Sequence, residues 1–109
     1  DPRWQASLSV PIAHDLIRHT LGFDGLVLTD DLDMKAIDQD MDVCMARILA
    51  SEIDLALICH QGPDIEKAVM ALTRQLSSDP KARASGRMCV QRIYRYKEAY
   101  LGWKKPDRL

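Results

Sequence analysis

Two short apolar runs, Leu26-Val27-Leu28-Thr29 and Leu55-Ala56-Leu57-Ile58-Cys59, decide the fold that this sequence encodes. Each run has the length of a strand and is rich in aliphatic residues. Neither alternates with polar residues, a pattern typical of strands that are covered on both faces in a parallel sheet. The sequence therefore predicts two buried parallel strands, at 26–29 and 55–59.

Helical patterns lie on both sides of these runs. Apolar residues at spacings of three and four predict a helix over 10–21 that Gly22 closes, and a second over about 43–50. Gly62-Pro63 and Ser78-Asp79-Pro80 have the residue types that begin helices, and each precedes a further apolar stripe. The order helix, strand, helix, strand, helix, helix predicts an α/β protein with right-handed crossovers.

Two parallel strands are too few for a stable sheet, because they leave apolar faces and long edges unpaired. We therefore expect residues 1–109 to form a single partial domain, a fragment of a larger α/β fold. An isolated piece of this kind is expected to self-associate through its open edge.

The composition excludes several classes of partner. The chain of 109 residues has 15 basic and 16 acidic residues and a net charge of -1, which gives no overall field for nucleic acid or a membrane surface. No apolar run approaches the ~20 residues of a membrane-spanning helix. Residues 80–109 are locally basic and aromatic, but we interpret them as packing helices. Three widely spaced cysteines fit neither a disulfide framework nor a C-x-x-C metal site, and predict a reducing, cytoplasmic location.

Three carboxylates, those of Asp30, Asp31 and Asp33, follow the first predicted strand. Working residues of parallel α/β proteins lie at the carboxyl ends of strands. Asp30 is the most rigidly placed of the three, whereas Asp31 and Asp33 are expected to hold the loop. By residue type alone, Asp30 could be a metal ligand, a phosphate acceptor, a general base or a covalent nucleophile.

The stretch 21–34, which reads LGFDGLVLTDDLDM, resembles the L-G-F-x-G run and the following [ST]-D-D-L-x-M of bacterial β-N-acetylhexosaminidases of glycoside hydrolase family 3. Four further segments are similar to other parts of that family: Ala6-Ser7-Leu8-Ser9, Leu16-Ile17-Arg18, the strand from Ile53 to Cys59 and the basic helix from Val90 to Lys97. The resemblance covers nearly the whole chain.

The resemblance implies that the chain is the C-terminal fragment of a (β/α)8 TIM barrel, comprising its last two β/α units and the terminal helices. The implied activity is a retaining hydrolase that releases terminal β-N-acetylglucosamine from peptidoglycan fragments. Asp30 would be its catalytic nucleophile and Met34 would line the sugar pocket. Its partners would be N-acetylglucosaminides and muropeptides, with no metal and no cofactor.

The chain departs from the family pattern in three ways. Gln5 stands where the family usually has proline, and Ala50-Ser51-Glu52-Ile53-Asp54 lacks the glycine of the family's A-G-x-D. The sugar-holding K-H-F-P-G-H-G segment and the acid/base D-x-H pair do not occur in this sequence. We therefore expect the 109-residue chain alone to be inactive.

The positions of the three histidines and the three cysteines predict structural roles for them. His14 and His19 are expected on a solvated helix face, and His60, after the second strand, is expected to make a loop hydrogen bond more readily than to act on a substrate. Cys59 is expected in the core, and no chemistry is assigned to any of the three cysteines, which are Cys44, Cys59 and Cys89.

Two non-enzymatic alternatives stay open. A receiver-like module would use Asp30 as a phosphate acceptor, although it needs an acidic pair on an earlier strand. A folded interaction fragment would have no active site and would self-associate.

Overall fold

The computed structural model describes residues 1–34 and 37–107. Its elements, in chain order, are a 3-10 turn Ala6–Leu8, a π-helix Pro11–Thr20, strand β1 Leu28–Asp31, helix α1 Met41–Ala50, strand β2 Leu55–Leu57, helix α2 Pro63–Ser78 and helix α3 Pro80–Leu101. The predicted order of helices and strands is confirmed, and the chain is a small α/β structure.

The helix ends follow their residue types. Gly22 adopts a left-handed conformation, with φ of 62°, directly after the π-helix and its cap residue. Gly62 precedes α2, with Pro63 as its first residue, and the side chain of Asp79 caps α3 by accepting the N–H of Lys81 at 2.8 Å. The first helix differs from the expected α-helix, because the Leu21 N–H donates to the Leu16 carbonyl, five residues back, at 2.8 Å.

The two strands pair in parallel, and their limits differ from the predicted ones. Strand β1 begins and ends two residues later than expected, and β2 ends at Leu57 instead of Cys59. The reason is the pairing itself, in which Leu28 lies opposite Leu55 and Asp31 lies opposite Leu57. Two residues on β1 therefore oppose one residue on β2 between these pairs, which is a β-bulge.

The prediction of strands covered on both faces is wrong for this chain. Leu28, Leu55 and Leu57 are 52%, 37% and 42% exposed. The sheet of the described residues contains two strands, so no third strand pairs with either of them there, and part of each of these side chains faces solvent. The open sheet expected from the sequence is therefore present.

The core lies where α1 packs against α2 and the 3-10 turn. It consists of small and medium apolar side chains, and these are Leu8, Ala13, Leu32, Cys44, Met45, Ile48, Ile53, Ala68 and Ala71. Trp4 packs at its edge and has the Arg47 guanidinium 4.4 Å from its ring centroid. One side of the strands thus has a local core, whereas part of their apolar surface faces solvent.

A buried ionic cluster connects the amino ends of the strands to two helices. The Asp54 side chain is fully buried and accepts hydrogen bonds from Arg18 (2.7 Å), from the Val27 N–H (2.8 Å) and from Arg92. Burial disfavours the charge of Arg92, but the hydrogen bond to Asp54, together with the charges of Asp54 and Glu52, outweighs that cost and raises the pKa of the guanidinium.

Among the described residues, Glu52 is the one non-glycine residue with a positive φ, which is 52°. It stands where the A-G-x-D pattern has its glycine, and a left-handed conformation costs a non-glycine residue about 1 kcal/mol. Its carbonyl accepts hydrogen bonds from Arg18 (3.3 Å) and Arg92 (3.5 Å), and its carboxylate lies 3.6 Å from the Arg92 guanidinium. These contacts hold the strained residue in place.

We expect Asp54→Asn to destabilise the chain by about 3–5 kcal/mol, because it leaves two mostly buried guanidinium groups without their shared counter-charge. Urea unfolding followed by circular dichroism at one fixed protein concentration measures the change. The matched control is Asp42→Asn, which removes an exposed ion pair with Arg74 at 2.6 Å and should cost no more than about 1 kcal/mol. Equal costs for the two variants would contradict the structural role of Asp54.

We also expect the 109-residue chain to self-associate or to bind a hydrophobic dye, because its two-stranded sheet leaves Leu28, Leu55 and Leu57 in solvent. Light scattering over a range of concentrations and dye fluorescence measure these properties. Substituting Leu57 by Thr should reduce both. A monomer that binds no dye and unfolds in one sharp transition would show that this surface needs no partner.

Candidate active site

Five side chains meet at the carboxyl ends of the two strands. Asp30 and Asp31 are the last residues of β1, Asp33 follows in the next turn, and Cys59 and His60 follow β2. We call this group the carboxyl edge. Its members come from two segments that are far apart in the sequence and are brought together by parallel pairing.

The β-bulge determines how Asp30 is held. Thr29 and Asp30 together oppose Ala56, and the Leu57 N–H donates to the Thr29 hydroxyl at 2.9 Å. The Asp30 N–H therefore does not join the ladder and donates to the Ser7 hydroxyl at 2.9 Å. Bulges of this kind re-aim side chains and are frequent beside active sites.

The Asp30 carboxylate is exposed and accepts a hydrogen bond from the Asp31 N–H at 2.8 Å. The sequence places this residue just after its strand, whereas the structure places it within β1. The consequence for chemistry is unchanged, because the residue still lies at the carboxyl end with its backbone fixed by Ser7. Its carboxylate is open to a ligand.

Asp31 holds the two strand ends together. One of its carboxylate oxygens accepts the Asp33 N–H at 3.1 Å and the Cys59 N–H at 3.0 Å. These hydrogen bonds, first that from Asp33 and then that from Cys59, lower the pKa of Asp31, and the nearby His60 adds a small effect in the same direction. The structure therefore gives Asp31 the loop-holding contacts that the sequence predicts.

His60 is paired with an acidic residue from the other segment. Its Nδ1 lies 2.8 Å from a carboxylate oxygen of Asp33 and 4.0 Å from one of Asp31. The imidazole is otherwise open to solvent, with 76% of the side chain exposed. His60 is therefore held by an ionic contact, where the sequence predicts a loop hydrogen bond. Sequence reasoning did not find its partner, because Asp33 follows the other strand.

Met34 lies in the turn after β1, where its N–H donates to the Asp31 carbonyl at 3.3 Å. Its side chain is 38% exposed. The next two residues along the chain, 35 and 36, lie outside the described part of the structure. The structure thus brings Met34 to the same turn as Asp33. Its contact with a sugar stays a prediction.

The prediction that Cys59 is a core residue is wrong, because β2 ends before it and leaves it exposed. Desolvation and the Asp31 carboxylate raise the pKa of its thiol, with smaller effects from Asp30 and Asp33. Cys44 and Cys89 lie in α1 and α3 and are buried, and burial raises the pKa of Cys89 to about 11. Raised pKa values disfavour the reactive thiolate.

The other two histidines lie near the amino ends of the strands. His14 is partly buried, with Nδ1 at 2.9 Å from Asp15 and Nε2 at 3.7 Å from Glu52, whereas His19 is exposed and contacts the His14 ring. Both line a cavity of about 310 Å³ together with Arg18. They are remote in the fold from the carboxyl edge, so the structure does not bring them to Asp30.

Over residues 1–34 and 37–107, no group of three or more histidine, cysteine, aspartate or glutamate side chains is arranged to hold a metal ion. Within the same residues, no helix is long and apolar enough to cross a membrane.

We expect Asp31→Ala to lower the melting temperature at pH 7 by freeing the Cys59 and Asp33 amides. The lowered pKa of Asp31 fixes the pH dependence, because the carboxylate stabilises the fold fully above its ordinary value of 3.8 and loses this effect as the pH falls through its lower folded value. The difference between the two proteins should therefore shrink as the pH falls below 3.8. Thermal unfolding at a series of pH values measures it, and a difference that is constant with pH would contradict the assigned contacts.

Comparisons with known proteins support the fold. No protein-family model matches the chain, and no curated protein matches it in sequence. A crystal structure of β-N-acetylglucosaminidase from Thermotoga maritima superposes with a TM-score of 0.74 and 24% identity, over 91% of this chain and 22% of that one. The chain folds like one part of a solved β-N-acetylglucosaminidase.

CbsA from Thermotoga neapolitana gives a similar result, with a TM-score of 0.77 and 21% identity over 86% of this chain and 21% of that one. A zinc-bound structure of CbsA superposes with the same values. The chain thus spans about a fifth of the length of these proteins. At this level of identity, the likeness shows a shared fold.

Proposed function

We propose that this chain is the C-terminal part of a retaining glycoside hydrolase of family 3, a β-N-acetylhexosaminidase, and that Asp30 is its nucleophile. The observation that carries the proposal is the β-bulge at Thr29 and Asp30, which fixes the Asp30 backbone on Ser7 and leaves an exposed carboxylate at the carboxyl end of β1. The fold shared with a solved β-N-acetylglucosaminidase supports it.

A retaining glycosidase needs an ionised, well-aimed carboxylate on one face of the sugar, and a separate acid on the other face. Of the three carboxylates at the carboxyl edge, Asp31 is held by two amides and Asp33 by His60. The Asp30 carboxylate accepts a hydrogen bond from the adjacent N–H and otherwise faces solvent. It is therefore the carboxylate best placed to attack an anomeric carbon.

The proposal assigns the other half of the mechanism to polypeptide outside this sequence. The acid/base group and the sugar-holding loop would come from the remaining strands of a (β/α)8 barrel, in which β1 and β2 are the seventh and eighth strands. Exposed Leu28, Leu55 and Leu57 are the surface that such strands would cover. The substrate would be a terminal N-acetylglucosaminide of a peptidoglycan fragment, hydrolysed in the cytoplasm without metal or cofactor.

We expect the 109-residue chain by itself to release no 4-nitrophenol from 4-nitrophenyl N-acetyl-β-glucosaminide, because a nucleophile without its acid lacks most of the transition-state stabilisation. Absorbance after prolonged incubation measures release, and Asp30→Asn is the matched control. Hydrolysis above the control rate would show that the chain holds a complete site.

In an enzyme that carries this sequence as its C-terminal part, we expect Asp30→Ala to remove nearly all turnover while leaving the fold intact, because the side chain is exposed and outside the core. A slowly hydrolysed 5-fluoro glycosyl fluoride of N-acetylglucosamine should trap the covalent intermediate. Proteolysis and mass mapping then locate the label. Label on Asp31 or on any other residue would overturn the assignment of Asp30.

A further inference from the structure

We infer that a cavity between α1, β2, α2 and α3 binds a fatty acid, with the acyl chain inside the cavity and the carboxylate at its basic rim. The cavity has a volume of about 400 Å³. Small-molecule sites usually have volumes of ~300–1,000 Å³. The five residues of the carboxyl edge, all of them described, do not line this cavity. The inference is therefore independent of the proposed glycosidase activity.

The lining of the cavity is mostly apolar. Part of it is formed by side chains that are almost completely buried, and these are Ile48, Leu49, Ile53 and Cys89. Leu76 of α2 and Val90 of α3 also line it. An acyl chain placed here would leave water for contact with these side chains, which is the favourable contribution to binding a hydrocarbon.

The shape of the cavity favours a small ligand over a peptide helix. A Cβ at Gly86 would lie 2.8 Å from Leu76 Cδ2, so the glycine allows α3 to lie close against α2. Three helices, a strand and the segment after α3 all contribute residues to the lining. A peptide helix binds along an extended groove, whereas this space is bounded on several sides.

The cavity lies on the opposite face of β2 from the exposed leucines. Ala56 lines it, whereas the neighbouring residues of the strand, Leu55 and Leu57, do not. Successive side chains of a strand point to opposite faces of the sheet. A ligand in the cavity can therefore be tested separately from the open surface formed by the leucines.

The charges at the rim select an anionic head group. Arg83, Arg87 and Lys105 line the cavity and are exposed. Among the described residues of the lining, Asp54 is the one acidic residue, and its buried carboxylate is already paired with two arginines. A carboxylate at the rim would therefore be attracted, and a cationic head group would be repelled.

The basic side chains have donors available for a carboxylate. Arg83 donates from Nε to the Leu76 carbonyl at 2.9 Å and from Nη2 to the Ser77 carbonyl at 3.1 Å, which fixes its guanidinium beside the cavity wall. A guanidinium has more N–H donors than these two, so others remain for a ligand. Arg87 and Lys105 make no hydrogen bond or ion pair within the described residues.

The test uses the 109-residue chain and decanoate, at concentrations below those at which decanoate forms micelles. Isothermal titration calorimetry measures the affinity, and the amide resonances of Ala56, Gly86 and Val90 should shift on titration. Decyltrimethylammonium, which has the same alkyl chain and a cationic head, should bind roughly ten-fold more weakly. Octanoate, which is shorter by two methylenes, should also bind roughly ten-fold more weakly than decanoate.

Variants locate the acyl chain and the carboxylate separately. Ala56→Leu should fill the cavity and remove decanoate binding, whereas Leu57→Thr, on the opposite face of the strand, should leave the affinity unchanged. Arg87→Gln should weaken decanoate binding by roughly three-fold and leave the affinity for decanol unchanged. Arg74→Gln removes the same charge from an exposed position outside the cavity and is the matched control. Circular dichroism checks that each variant is folded.

Several outcomes would overturn the inference. Equal affinities for decanoate and decyltrimethylammonium would remove the basic rim from the site, and unchanged decanoate binding by folded Ala56→Leu would remove the cavity. Shifts of the Val90 amide with protein concentration alone would identify a second copy of the chain as the occupant. Binding to phosphatidylglycerol vesicles without binding to decanoate would identify a membrane surface instead. The Arg87→Gln comparison tests the inference even if Ala56→Leu fails to fold, because Arg87 is exposed.

Discussion

The buried carboxylate of Asp54 is the group on which the positions of both strands depend. It stands just before β2, accepts the N–H of Val27 just before β1, and binds Arg18 of the π-helix and Arg92 of α3. Four segments that are distant in sequence therefore meet at one side chain. Because all three charged groups are mostly buried, separating any one of these segments from the cluster would leave a buried charge without its partner.

A second aspartate fixes the opposite ends of the same two strands. Asp31 accepts the Cys59 N–H, so that the short parallel ladder is closed by a carboxylate at each end. The β-bulge lies between these two fixed points, and the Ser7 hydroxyl takes the amide that the bulge releases. The exposed Asp30 carboxylate is therefore aimed by contacts that are all contained within this chain.

The sequence predicted those features that depend on neighbouring residues. Gly22, the Gly62-Pro63 pair and Asp79 each have a local conformational reason to end or begin a helix, and the structure confirms all three positions. The carboxyl-end location of Asp30 was likewise predictable from a strand followed by acidic residues.

Features that depend on pairing between distant segments were not predictable in the same way. The limits of β1 moved because its register is set by β2, and Cys59 is exposed because that ladder ends at Leu57. The contact between His60 and Asp33 exists only when both strand ends lie side by side. No local pattern in the sequence encodes that juxtaposition.

The distribution of apolar contacts explains how a site can be well formed in a sheet that is incomplete. The core formed by α1, α2 and the 3-10 turn contains Leu8 and Met45, both fully buried, so one side of the structure is closed by its own residues. The strands still expose Leu28 and Leu57, because covering them needs further polypeptide. Local packing and the two aspartates can therefore orient the Asp30 carboxylate, whereas the proposed function assigns the acid on the opposite face of a sugar to further polypeptide. The contacts that position Asp30 therefore all lie within this chain, whereas the proposed function includes residues of a larger enzyme.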